Sequence, residues 1–158
     1  MRIKLNPEVY RTIIYFSTRL FSALVECPLT SYQTTDTVVC DFSLTNNDDC
    51  TYSVLKWNTP LNDLAVNGLN ISRDGKELSP EGIMMKREDP GAGAFLTIAA
   101  GETVLSKFDL SSEYDTTKAG TYTVAIDLYL EYVERSAGSL QETKLFYLSS
   151  PAVSFQIV

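Results

Sequence analysis

The sequence predicts an all-β chain, an antiparallel sandwich of about 7–9 strands behind a short irregular or helical N-terminal lead-in. Three observations predict it. Apolar residues recur with period two in several short runs, clusters of turn-forming residues separate those runs, and the longest run opens with a Gly-x-Tyr step. An alternating run buries one face of a strand, and short strands at regular spacing with turns between them pack as two sheets.

Residues 1–22 read as the lead-in and residues 23–158 as the sandwich. Arg2 and Lys4 give a positive start and residues 13–25 an apolar run, which together raise the question of export. Asn6, Pro7 and Glu8 precede that run, Arg11 and Arg19 break it, and no small-x-small cleavage site follows, so a signal peptide is not convincing. The run also falls short of the ~20 apolar residues a bilayer needs, so no transmembrane segment is expected.

Val38, Cys40, Phe42 and Leu44 alternate with polar or outward positions, and the cluster at residues 45–49 ends that strand. Residues 52–57 form the next, closed by Asn58, Thr59 and Pro60, because proline has no N–H for a ladder. Leu69 and Ile71 lead into Arg73-Asp74-Gly75-Lys76, a two-residue hairpin whose central positions both want positive φ. The strand that returns is either residues 77–78 or residues 83–87. Residues 95–98, a turn at 100–102, and residues 103–110 repeat the grammar, with Val104 and Phe108 on one face. Tyr122, Val124, Ile126, Leu128, Leu130 and Tyr132 then alternate without a break. After a turn at 136–139, residues 144–148 return, and Val153, Phe155 and Ile157 close the domain.

Gly120 and Tyr122 narrow the sandwich to an immunoglobulin-like one, since a tyrosine just inside the long strand is the sequence form of the tyrosine corner. Trp57, the only tryptophan, then falls on an earlier strand, where such domains keep a core tryptophan. Two readings stay open: Trp57 anchors the core, or its corner is a contact site. Around it Tyr52 and Val54 take one face and Leu55 and Trp57 the other, so the strand is either covered on both sides or irregular.

Composition closes several functions. A formal charge of −7 with scattered lysines and arginines opposes a phosphate backbone, so nucleic acid is not an expected partner. The chain has no histidine, which removes the commonest general base and metal ligand together with every Ser-His or Cys-His pair. Cys27, Cys40 and Cys50 cannot all pair within one molecule; a Cys27–Cys40 bridge fits a turn near Gln33 and Thr34, and three small buried thiols fit as well. Their spacing matches no zinc pattern. Acidic clusters at Asp48-Asp49 and around Glu113 and Asp115 lack the calcium-loop pattern and sit in predicted turns. No catalytic, cofactor-binding or metal-binding residues are therefore expected.

The motifs LTNN at 44–47, VLKWNTPL at 54–61, ISRDG at 71–75, MKR at 85–87, DLSSEYD at 109–115 and AGTYTV at 119–124 resemble, in order, the N-terminal non-catalytic domain of deuterolysin-like zinc metallopeptidases. The resemblance covers roughly residues 25–133. It implies a pro-domain without the catalytic domain that bears His-Glu-x-x-His, a protein partner of that protease class, and an extracellular or periplasmic location. Residues 147–158 extend beyond it.

A detached pro-domain can inhibit such a protease or assist its folding; the alternative is an immunoglobulin-like adhesion or interaction module with no protease partner. Either needs a contact surface at loops or an edge. The candidate partner-binding residues are Trp57, Asn58, Thr59, Pro60 and Leu61, with Lys86 and Arg87 as a basic pair. Against these stand a fold-defining turn and a solvated strand end. Residues 88–94 read as a loop suited to insertion or to simple connection, and Cys50 as a thiol that could reach a protease zinc.

Overall fold

The computed structural model describes residues 19–62, 68–81, 91–135 and 143–158. Among them are strands β1 (Phe21–Glu26), β2 (Ser31–Tyr32), β3 (Val39–Asn46), β4 (Tyr52–Leu55), β5 (Leu69–Arg73), β6 (Lys76–Glu77), β7 (Phe95–Ile98), β8 (Thr103–Asp109), β9 (Gly120–Glu134), β10 (Lys144–Ser149) and β11 (Val153–Ile157). Two short 3-10 turns, Ala92–Ala94 and Leu110–Ser112, complete the described elements. Two of the eleven strands, β2 and β6, are only two residues long, which leaves nine of ordinary length, at the upper end of the expected range. Residues 1–18 of the lead-in, the alternative return strand at 83–87 and the turn at 136–139 lie outside the described residues.

One sheet has the order β1-β3-β8; the other runs β2-β11-β9-β4-β7, with β10 and β5 also on β9. The fifteen residues of β9 are long enough to hold two neighbours on each side. β5 and β11 take its first half, and β4 and β10 its second. β3, β8 and β1 facing β4, β9 and β10–β11 is the immunoglobulin-like division into two packed sheets. The start of the chain is shared between them, because β1 pairs antiparallel with β3 while β2 pairs parallel with β11.

The alternation does what period two requires. Tyr122, Val124, Ile126, Leu128 and Leu130 of β9 are buried against Cys40, Phe42 and Leu44 of β3 and Phe21, Ala23 and Val25 of β1 in one core cluster. Phe21 meets Tyr52, Tyr132 and Phe146 edge to face, each at 5.6 Å. Tyr122 stacks on Phe155 at 5.5 Å, and its hydroxyl donates to the Lys118 carbonyl at 2.7 Å, the tyrosine corner expected from Gly120 and Tyr122.

Three expectations are corrected or resolved. Phe21 and Ser22, read with the lead-in, belong to β1, because Phe21, Ala23 and Val25 already alternate into the core. The strand expected at 52–57 stops at Leu55, with both faces buried throughout; Trp57 lies past its end, half-buried and outside the buried cluster, so it is not the core anchor. By alternation Trp57 falls on the face of Ser53 and Leu55, opposite Tyr52 and Val54 in the core cluster, and Asn58, at φ +58, then turns the chain off the strand path. Cys27 and Cys40 form a disulfide, with Cα atoms 4.3 Å apart. The register dictates it, since Glu26 faces Asp41 and so places Cys27 opposite Cys40. A bridge across that 13-residue separation restricts the unfolded chain by roughly 3 kcal/mol.

Candidate functional site

The corner after β4 is built mostly from its own bonds. Thr59 is buried; its Oγ1 donates to the Lys56 carbonyl at 2.6 Å and accepts from Leu61 N at 3.1 Å. Asn62 N donates to the Thr59 carbonyl at 3.1 Å. Ser106 Oγ, on β8 of the opposite sheet, donates to the Pro60 carbonyl at 2.7 Å, while Lys56 N reaches the Ala94 carbonyl at 2.9 Å. Leu61 packs on the core. Thr59, Pro60 and Leu61 therefore fasten the two sheets together, and Trp57 and Asn58 are what the corner shows to solvent. Lys86 and Arg87 lie outside the described residues, as does the 88–90 part of the adjoining loop.

The acidic loop after β3 is the second candidate. Asp48, Asp49 and Cys50 bring two carboxylate oxygens and a sulfur within 4.8 Å of one another. Those groups already have uses. Asn46, fully buried, donates from Nδ2 to the carbonyls of Cys50, Ile98 and Ala99 and accepts from Asp48 N, which fixes the loop to β7. The Tyr52 hydroxyl donates to Asp48, which holds that carboxylate below its usual range and pushes the phenol above its own. The Cys50 thiol is pushed up, first by removal from water and then by a hydrogen bond and negative charge from Glu134. A thiol held protonated is a poor zinc ligand, so nothing local favours Cys50 as a metal-seeking group.

The acids near Glu113 resolve in the same way. Asp115 accepts from the Thr117 hydroxyl and N–H, which lowers its pKa, and lies 3.9 Å from Lys118. Both clusters are loops holding themselves in shape.

A third surface was not anticipated. On the outer face of β9 and β10, Tyr129 and Tyr147 sit directly opposite in register with ring centroids 5.3 Å apart, and Leu145 sits beside Glu131. Tyr129 is 68%, Leu145 63% and Tyr147 52% exposed, far more than the core residues between them. The Tyr147 hydroxyl donates to Asp127 at 2.6 Å. The signal in the sequence was the odd-numbered register of the two strands, which puts large apolar residues on the face that should be polar.

The fold thus defines an immunoglobulin-like sandwich with a self-bonded corner after β4 and an exposed aromatic and apolar face on β9 and β10. Over part of its length the chain is similar to curated proteases. It is 28% identical over 106 residues to a neutral protease 2 homologue of Coccidioides posadasii, covering 66% of this chain and 29% of the relative. An extracellular protease of Aeromonas hydrophila is 29% identical over 90 residues, 57% of this chain and 26% of that protein; a neutral protease 2 homologue of Uncinocarpus reesii is 32% identical over 83 residues, 51% and 23%. The resemblance to the deuterolysin-like family read from the motifs is therefore borne out as a partial one. The chain spans about a quarter of the length of the relatives it matches. No protein-family model matches it. Among solved structures, the periplasmic chaperone SfaE has a TM-score of 0.27 at 10% identity, covering 82% of this chain and 57% of that one. A PapD-like domain of human CEP192 has a TM-score of 0.29 at 12% identity, covering 82% and 84%. Scores that low carry no argument; the sandwich rests on its own strand pairing.

Proposed function

We propose that this domain is a non-catalytic protein-binding module, resembling a metallopeptidase pro-domain, that inhibits a deuterolysin-like protease or assists its folding. The observation that carries the reading is the extent of the similarity: it reaches only 23–29% of each protease. The chain also has no histidine with which to build a His-Glu-x-x-His zinc site. The partner's zinc, not this chain, supplies any chemistry. On this reading Trp57 and Asn58 make contact at the corner, Thr59, Pro60 and Leu61 hold them in place, and Lys86 with Arg87 meets an acidic rim. The Cys27–Cys40 disulfide fits an oxidising, extracellular or periplasmic location.

The test is a titration of a mature deuterolysin-like protease with the purified domain, following peptide hydrolysis and Trp57 fluorescence together. Saturable inhibition with a change in the tryptophan signal is expected. Absence of binding to several such enzymes at tens of micromolar would overturn the reading. It would leave an immunoglobulin-like interaction module with no protease partner, which the exposed Tyr129–Leu145–Tyr147 surface favours.

A further inference from the structure

Among the described residues, β10 pairs with β9 alone. Ser150 N donates to the Ile126 carbonyl at 3.1 Å, in line with a register that sets Ser149 against Asp127. Hydrogen-bonded pairs recur at every second residue of an antiparallel ladder. Phe146 and Leu148 therefore turn their backbone groups toward β9, and Leu145, Tyr147 and Ser149 turn theirs to the open edge. The same three residues carry the outward side chains. No backbone hydrogen bond from another described residue reaches that edge. Natural edges are blunted by charges, prolines or covering segments; here Lys144 and Pro151 stand only at the two ends, and residues 145–150 between them hold neither a charge nor a proline.

The electrostatics of the face select an occupant. At the outward positions of β9 and β10 the charged side chains are Asp127 and Glu131, both acidic, one behind Ser149 and the other behind Leu145; Lys144 and Glu134, also exposed, stand at the far end of the pair on the opposite parity. A second copy of the chain would bring the same two carboxylates and another formal charge of −7. We infer that the open edge of β10 takes up an extended segment of a basic protein partner as an added strand, with an apolar residue against Tyr147 and basic residues at the two flanking outward positions. Each basic side chain reaches over β10 toward Asp127 or Glu131 on β9, two strand spacings or about 9.6 Å away, which a long arginine side chain and the carboxylate span between them. Backbone bonds supply affinity in this mode and the outward side chains supply selection. The inference rests on the reading of the domain as a protein-binding module, but not on the identity of its partner.

The probe is a capped peptide with the core Arg-Val-Val-Val-Arg, which presents basic, apolar and basic outward residues in either strand direction, added to isotopically labelled domain. Amide shifts and slowed hydrogen exchange at Leu145, Tyr147 and Ser149 are expected. Substituting glutamate for both arginines should weaken binding by at least about tenfold, as expected for close charge pairs. N-methylation of the three valines should abolish it, and the Asp127→Asn, Glu131→Gln variant should lose the preference for arginine while still binding. Leu145→Lys with Tyr147→Lys, both at exposed positions, should fold and not bind. Equal binding of the glutamate or N-methylated peptide, shifts confined to residues 57–61, or dimerisation through residues 145–149 would each overturn the inference. Protease inhibition by a domain that binds no arginine peptide at this edge would overturn the edge site and leave the proposed function standing. Peptide binding without protease binding would do the reverse.

Discussion

The two flanks of β9 finish in opposite ways. On the β4–β5 side, the chain is closed by side chains bonded to backbone: Thr59 to Lys56 and Leu61, Ser106 to Pro60, and Asp74 to Thr121 N at 2.9 Å. Gly68 completes that closure, with φ +92 and its carbonyl accepting from Asp127 N at 2.8 Å. On the β10 side the sheet ends in Leu145, Tyr147 and Ser149, whose backbone groups and side chains both face outward, two of them large. The difference teaches where stability and recognition separate in this domain. Turns bonded within themselves leave a partner only a few side chains, such as Trp57 and Asn58, whereas an open backbone edge beside apolar side chains gains from being covered along its length.

Substitutions can break that comparison, and the largest effect is expected at Gly68. A Cβ there would stand 2.5 Å from Leu128 Cβ, at a φ that side chains rarely adopt. Gly68→Ala should cost about 3 kcal/mol, overpacking and backbone strain together, in denaturant unfolding. A cost under about 0.5 kcal/mol would mean that the β4–β5 flank is not closed. Thr59→Val, of nearly the same shape, removes the hydroxyl that bonds Lys56 and Leu61 and should cost about 1–2 kcal/mol. On the other flank Leu145→Lys should change stability by less than about 0.5 kcal/mol. A large loss there would show that Leu145 is covered by the protein's own chain and that the edge is not available.

Much of this was legible in the sequence, and the failures have physical causes. The alternation of β3, β9 and β11, the Asp74-Gly75 hairpin with both residues at positive φ, and the bond made by Tyr122 were all local patterns. β1 was hidden because Phe21, Ala23 and Val25 alternate inside a longer apolar run that was read as a lead-in. β2 has no local signal at all, since two residues are held only by the last strand. Trp57 was misplaced because the core was read on the Leu55–Trp57 face, whereas the packed cluster takes the Tyr52–Val54 face. Tyr129 and Tyr147 were readable as outward positions, but which strand lies at an edge is decided by pairing among segments far apart in sequence. The most conspicuous motif, VLKWNTPL, proves largely a fastening, while the exposed chemistry lies on a strand that looked ordinary.

The finest test of the open flank is the state of Tyr147. Its hydroxyl donates to Asp127, and that bond, with smaller contributions from burial and the neighbouring charge, pushes the phenol above its ordinary value. A phenol raised in the folded state adds stability that is fully present below the unfolded pKa and is lost as pH rises through the folded one. The ring is exposed, so the effect on unfolding should be small and confined to alkaline pH. Titration of the assigned Tyr147 ring carbon should place it above a free tyrosine, and Asp127→Asn should bring it back down. Binding of the arginine peptide should also lower it, because an arginine that reaches Asp127 draws off part of the negative charge holding the proton on the phenol. If Tyr147 titrates like a free phenol in the wild-type domain, Asp127 is not held against it. The carboxylate would then be free to swing away from the edge, and the charge selection expected of that edge would weaken with it.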